Sequence, residues 1–176
     1  EGLLGVITEV TAKILKKPQV VKAALIGFPT IEEGANATSE IISNGIIPAG
    51  MEIMDKALIE ATDNFSKAGY PRDAELLLIV EVDGTESEVD ILLKDVSSIC
   101  KKNNCSSLKL SQSEKERLSF WSGRKSAFPA CGAMAPDYYC MDGVIPRGKL
   151  AEALLEIRRL SEKYNLPVAN CFHAGD

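Results

Sequence analysis

From Ala74 to Asp83 the chain reads A-E-L-L-L-I-V-E-V-D, and no other stretch restricts the fold as much. A strand with one solvated face alternates apolar and polar side chains, whereas Leu76 to Val80 is apolar without a break. Such a run predicts a central strand covered on at least one face. Whatever else the chain forms has to surround it.

The flanking segments alternate between the two periodicities. Val20 to Phe28 reads as a strand. Thr30 is an N-cap with Glu33 as its capping-box partner, opening a helix that runs to about Asn44 and stops at Gly45. Ile46 to Met54 is strand-like but interrupted by Pro48 and Gly50, which marks an edge or bulged strand. Helical spacing follows over Asp55–Ala68, ending at Gly69, and again from Glu86 to Lys102 with Val89, Leu92, Leu93, Val96 and Ile99 on one stripe. Ser106–Leu110 is a short strand, Gln112–Lys125 a helix and Tyr138–Ile145 a strand. A helix starting at Pro146 and reaching Tyr164 precedes a last strand over Pro167–His173. Near the start, Val6 to Val10 alternates as a strand does, within a segment closed by Lys16-Lys17-Pro18. The pattern predicts an α+β fold: an antiparallel-rich sheet with helices packed on one face and ferredoxin-like β-α-β units.

Composition narrows the function classes. At 176 residues and 45% hydrophobic the chain can bury a sizeable core in one domain. A net charge of −5 argues against a nucleic-acid partner, which calls for a basic face. No apolar run approaches the ~18 residues that read as a membrane-spanning helix. The five cysteines, Cys100, Cys105, Cys131, Cys140 and Cys171, are odd in number and lack C-x-x-C spacing, which points to reduced thiols in a cytosol-like compartment. Both ends look cut, as though the chain were excised from something longer.

Chemistry concentrates between Phe120 and Asp142, F-W-S-G-R-K-S-A-F-P-A-C-G-A-M-A-P-D-Y-Y-C-M-D. A helix delivers Trp121 and Arg124, then gives way near Pro129 to small residues. Either the stretch lines a site or its aromatics fill the core of an ordinary connection. Arg124 has the planar fork that clamps a carboxylate, and equally suits a surface position at a helix C-terminus. Tyr138 and Tyr139, on a strand, would point to opposite faces, one to the core and one to a ligand. His173, the lone histidine, ends a strand before Ala174-Gly175-Asp176; it is either a satisfied core side chain or a ligand. Glu52, flanked by apolar residues, faces a site or its rim. No G-x-G-x-x-G, P-loop or G-x-S-x-G occurs.

These motifs resemble a known family. E-G-L-L-G-V-I-T-E-V-T is similar to the end of the FAD-binding domain of vanillyl-alcohol-oxidase-type flavoenzymes. Trp121 to Arg147 resembles the FAD-linked oxidase C-terminal domain of the glycolate oxidase and D-lactate dehydrogenase type. The terminal N-C-F-H-A-G-D looks like the opening of its H-A-G-D-G-N-x-H motif. The resemblance implies residues 1–17 as the terminal strand of a FAD-binding domain and residues 18–176 as a substrate or cap domain truncated at its C-terminus. It implies an FAD-dependent oxidation of a small 2-hydroxy acid, glycolate or D-lactate, to the 2-oxo acid. Arg124 would hold the substrate carboxylate, Tyr138 and Tyr139 would stand at the catalytic site, and Gly2, Gly5 and Ile7 would approach the FAD. His173 would bind a divalent metal (zinc, manganese or iron). Cys140 stands where some relatives carry a lysine, which favours a substrate with one carboxylate. Further expectations are an iron–sulfur or other electron-acceptor subunit, homo-oligomers, and a cytoplasmic location with membrane association through partners. The chain alone is expected to be inactive and to hold neither FAD nor metal. The alternatives are a free-standing ferredoxin-like module that binds a small acid, and a structural assembly domain.

Overall fold

The computed structural model describes residues 3–175. Five strands form one sheet: β1 (Val20–Phe28), β2 (Gly50–Asp55), β3 (Leu76–Gly84), β4 (Ser107–Leu110) and β5 (Cys171–His173), in the order β4-β1-β3-β2-β5. Every neighbouring pair is antiparallel. The helices are α1 (Ile31–Ser43), α2 (Lys56–Ser66), α3 (Glu86–Lys102), α4 (Glu114–Lys125), α5 (Ala127–Met134) and α6 (Leu150–Tyr164), with a 3-10 turn at Arg147–Lys149. Strands β1 and β2 both run opposite to β3, so β1-α1-β2 is a split β-α-β unit with β3 between its strands. In the same way β3-α3-β4 encloses β1. This is the ferredoxin-like arrangement, with α2 inserted before β3 and β5 added beside β2.

The apolar run at Leu76–Val80 is central, as its composition requires, and all five residues are fully buried. Alternation along the strand sends them both ways. Leu76, Leu78 and Val80 join Ile26, Ile53, Ile41, Leu93, Val96 and Leu154, under α1, α3 and α6. Leu77 and Ile79 join Leu25, Met54, Leu58, Ile59, Phe120 and Ala127, under α2, α4 and α5. The α+β class and the antiparallel sheet stand as expected. The layer of helices on one face is matched by a second on the other, which is why β3 has no polar alternation.

Local signals place most element ends. Thr30 and Thr85 cap α1 and α3, the latter as a complete capping box with Glu88, and α3 spans the expected Glu86–Lys102. Ser113 caps α4 through the Glu116 N–H. The small residues near Pro129, where the helix is expected to give way, instead form α5; Pro129 lies in its first turn, where a missing N–H costs little.

Two expected strands are absent. Residues 6–10 are irregular and exposed, and no strand among the described residues pairs with them. Tyr138–Ile145 is also irregular, with Tyr139, Met141 and Val144 exposed. Alternation supplies a strand's faces but not its hydrogen-bonding partner, and the sheet edge beside β2 is taken by β5.

Gly123 in α4 lies against buried Tyr70: a Cβ there would sit 2.3 Å from Tyr70 Cε2. Gly132 in α5 offers a contrast, since its Cβ would meet nothing closer than Tyr138 Cε1 at 3.7 Å. Alanine is favoured over glycine in a helix by about 0.8–1 kcal/mol, but forcing atoms into a packed core costs about 1–3 kcal/mol. Gly123→Ala is therefore expected to lower the melting temperature and Gly132→Ala to leave it equal or raise it, by thermal denaturation followed by circular dichroism.

Candidate active site

The sheet end formed by β2 and β5 carries a buried carboxylate with two nitrogen partners. Glu52 and His173 are cross-strand partners in the β2–β5 register. Glu52 lies on the face of Met54, under α4 and α5, and is 6% exposed. Arg124 Nε donates to Glu52 Oε2 at 2.8 Å. His173 Nδ1 lies against Glu52 Oε1. An ionised carboxylate only accepts, so a hydrogen bond between the two requires the imidazole proton on Nδ1. The His173 side chain is 78% exposed, which leaves Nε2 as its free ring nitrogen. Among the described residues neither Nη of Arg124 has a hydrogen-bond partner, so the guanidinium is fastened at one corner with its outer fork unused.

Two braces bring these partners to Glu52. The first sets β5. Asp55 Oδ1 caps α2 through the Leu58 N–H at 3.0 Å, and Oδ2 accepts from Asn170 N and Nδ2 at 3.0 and 2.7 Å. Asp55 N in turn donates to Asn170 O, and Ala174 N to Met51 O, so β5 enters and leaves in fixed register. Burial pushes the Asp55 carboxyl above its ordinary range in spite of these donors.

The second brace sets α4. Asp63 Oδ1 accepts from Gly69 N and Tyr70 N at 2.8 and 3.1 Å, and Oδ2 from Arg72 Nε at 2.8 Å. That fixes Tyr70, whose hydroxyl donates to Phe120 O and accepts from Arg124 N at 3.0 Å. Burial pushes the Tyr70 phenol up to about 12, so it stays a donor. Trp121 Nε1 and Arg117 Nη1 both donate to Glu81 Oε2 at 2.6 Å, fastening the same helix to β3.

Residues 17–176 match the family model of FAD linked oxidases, C-terminal domain. The chain belongs to that family. Its relatives include the glycolate oxidase subunit GlcD of Escherichia coli K12, 52% identical over all of this chain and 35% of that protein. GlcD of Bacillus subtilis is 31% identical, covering 37% of that protein, and the mitochondrial cytochrome-type D-lactate dehydrogenase of Arabidopsis thaliana is 32% identical, covering 31%. The chain thus spans about a third of the length of these relatives. Among solved structures, an alkyldihydroxyacetonephosphate synthase superposes over 88% of this chain and 33% of its own, with a TM-score of 0.62 and 16% identity, which supports the fold alone.

The residues singled out for chemistry do not all converge in this FAD-linked oxidase domain. Arg124 and His173 meet at Glu52. Tyr138 and Tyr139 lie on the irregular segment after α5, 52% and 87% exposed, and neither hydrogen-bonds within the cluster. Gly5 and Ile7 lie on the exposed segment before β1, and Gly2 falls outside the described residues. Trp121 secures α4 through Glu81, and Phe128 is exposed on α5. The described residues contain no group of three histidine, cysteine, aspartate or glutamate side chains arranged to hold a metal. His173 alone does not make a metal site.

Sequence reasoning missed Asp63, Tyr70 and Glu81, which have no motif. A signal existed for Glu52: a charged residue between Met51 and Ile53 in an otherwise apolar strand needs a partner.

The brace through Asp63 yields a pH test. Burial pushes its carboxyl up, but the bonds from Arg72 and from the Tyr70 and Gly69 amides outweigh this and hold it below 3.8. A depressed folded pKa stabilises fully above the unfolded value and is lost as pH falls through the folded one. Asp63→Asn is therefore expected to cost about 1–3 kcal/mol at pH 7, and urea melts should show the gap from wild type closing below about pH 4.

Proposed function

We propose that this chain is the substrate-side domain of an FAD-dependent 2-hydroxy-acid dehydrogenase acting on glycolate or D-lactate, with Arg124 as the carboxylate clamp. The observation that carries the proposal is the anchored guanidinium: Nε is held by buried Glu52 while both Nη groups have no partner among the described residues. A fork presented in this way matches a carboxylate bidentately. The family and the kinship with GlcD and D-lactate dehydrogenase support the chemistry. FAD, when bound, would supply the two-electron oxidant for the substrate α-carbon.

In this reading Arg124 orients the substrate and the chain's own residues supply binding and alignment. Tyr138 and Tyr139 would reach the substrate only if their segment packs against the rest of the enzyme, and Gly2, Gly5 and Ile7 would meet FAD along the segment that links to its binding domain. Residues 1–17 would be the last strand of that domain and residues 18–176 the cap. A divalent metal at His173 would need its other ligands from outside the described residues. The kinship with a glycolate oxidase subunit supports a partner subunit, which in this reading takes the electrons onward. No helix among the described residues is long and apolar enough to cross a membrane; a cytoplasmic location, with membrane contact through partners, belongs to the same proposal.

Arg124 also neutralises a buried carboxylate, and stranding a buried charge is costly. Arg124→Ala in the full-length enzyme is expected to lower stability as well as kcat/KM, the latter by about 10²–10⁴. Arg124→Lys keeps a charge beside Glu52 but loses the fork; it is expected to retain FAD and still lose about tenfold or more in kcat/KM on glycolate or D-lactate. Lys125→Ala should change little, since Lys125 is exposed. An Arg124→Lys enzyme with wild-type kcat/KM would remove the clamp.

A further inference from the structure

We infer that Glu52 is a positioning residue: its two oxygens divide between Arg124 and His173, aim both outward, and make one preformed receptor for an anionic substrate. The inference rests on the clamp role proposed for Arg124. A free carboxylate this close to an arginine would ordinarily take both sides of the fork. Here Oε2 binds Nε and Oε1 is drawn to His173 Nδ1, so neither Nη is consumed. Glu52 is 6% exposed and fixed by β2, while Arg124 rides on α4 and His173 on β5. One rigid carboxylate thus sets the relative placement of groups from two separate elements. Without it the arginine side chain has several rotatable bonds to disperse over, and the imidazole has no partner to choose its tautomer.

The charge arithmetic separates positioning from simple attraction. Glu52 and Arg124 together are neutral, so the carboxylate weakens the pull on an incoming anion. Removing its charge should leave anion affinity equal or tighter. What is lost is alignment, which acts on turnover rather than on binding. A glutamine has one oxygen for Arg124 Nε, and its NH2 can meet His173 Nδ1 only if the imidazole proton moves to Nε2. It can therefore keep both side chains near their places only by turning His173 Nε2 from a free acceptor into an N–H donor, which changes what the receptor presents to the substrate.

The experiment uses the full-length holoenzyme with D-lactate or glycolate as substrate and pyruvate or glyoxylate as product inhibitor. Glu52→Gln is expected to retain FAD and to lower kcat about tenfold or more, with the inhibition constant unchanged or tighter. A kcat within about twofold of wild type, with Arg124→Lys impaired, would overturn the positioning role and leave the clamp standing. A kcat loss matched by a proportionate weakening of inhibitor binding would overturn it too, as a merely structural effect. Wild-type activity in Arg124→Lys would instead overturn the clamp itself. If Glu52→Gln does not hold FAD, the same split is read on Glu52→Asp, which keeps the charge but withdraws it by one methylene.

Discussion

A buried carboxylate with two nitrogen partners is the constraint on which this domain's site depends. Taking Glu52 out of water is unfavourable unless its charge is paired and its oxygens are satisfied. Arg124 and His173 meet that requirement from α4 and β5, elements separated by more of the chain than any turn could bridge. The cluster therefore forms only when the sheet edge and the helix over it are both in place. Exposed pairs such as Lys149–Glu152 and Arg159–Glu156 carry no such condition; pairs of that kind contribute little and are screened by salt.

The supporting bonds are arranged to keep that geometry. Asp55 ties the start of α2 to Asn170, so the register of β5 follows from the end of β2. Asp63 gathers the loop before β3 and holds Tyr70, whose hydroxyl meets the last turns of α4. Gly123 lets that helix approach the ring. Each brace uses a carboxylate to satisfy backbone N–H groups where the chain has left regular structure, so these positions also answer a hydrogen-bonding requirement of their own. The site inherits its precision from structural necessities.

Much of this was legible in the sequence where the signal is local. The continuous run Leu76–Val80 specified a central strand, Thr30 with Glu33 specified the start of α1, and the apolar stripe from Val89 to Ile99 specified α3. What failed to read depends on partners distant in sequence. The alternation of Val6–Val10 and Tyr138–Ile145 described strands that find no neighbour among the described residues. A continuous apolar run meant cover on both faces of β3, which periodicity alone does not distinguish from cover on one. Glu52 stood out as a charge between Met51 and Ile53, yet nothing local indicates that His173 lies across from it. Asp63 and Tyr70 carry no motif at all, because their role is set by what folding brings to them.

The central claim is that Glu52 holds Arg124 by Nε so that its outer fork takes the substrate carboxylate. The most direct measurement is a crystal structure of the full-length oxidised enzyme with glyoxylate or pyruvate bound. The account predicts the ligand carboxylate on the two Nη groups of Arg124, with the Nε–Glu52 bond intact and His173 still against the other oxygen. A ligand carboxylate bound elsewhere, or an Arg124 that has left Glu52 to reach it, would contradict the account.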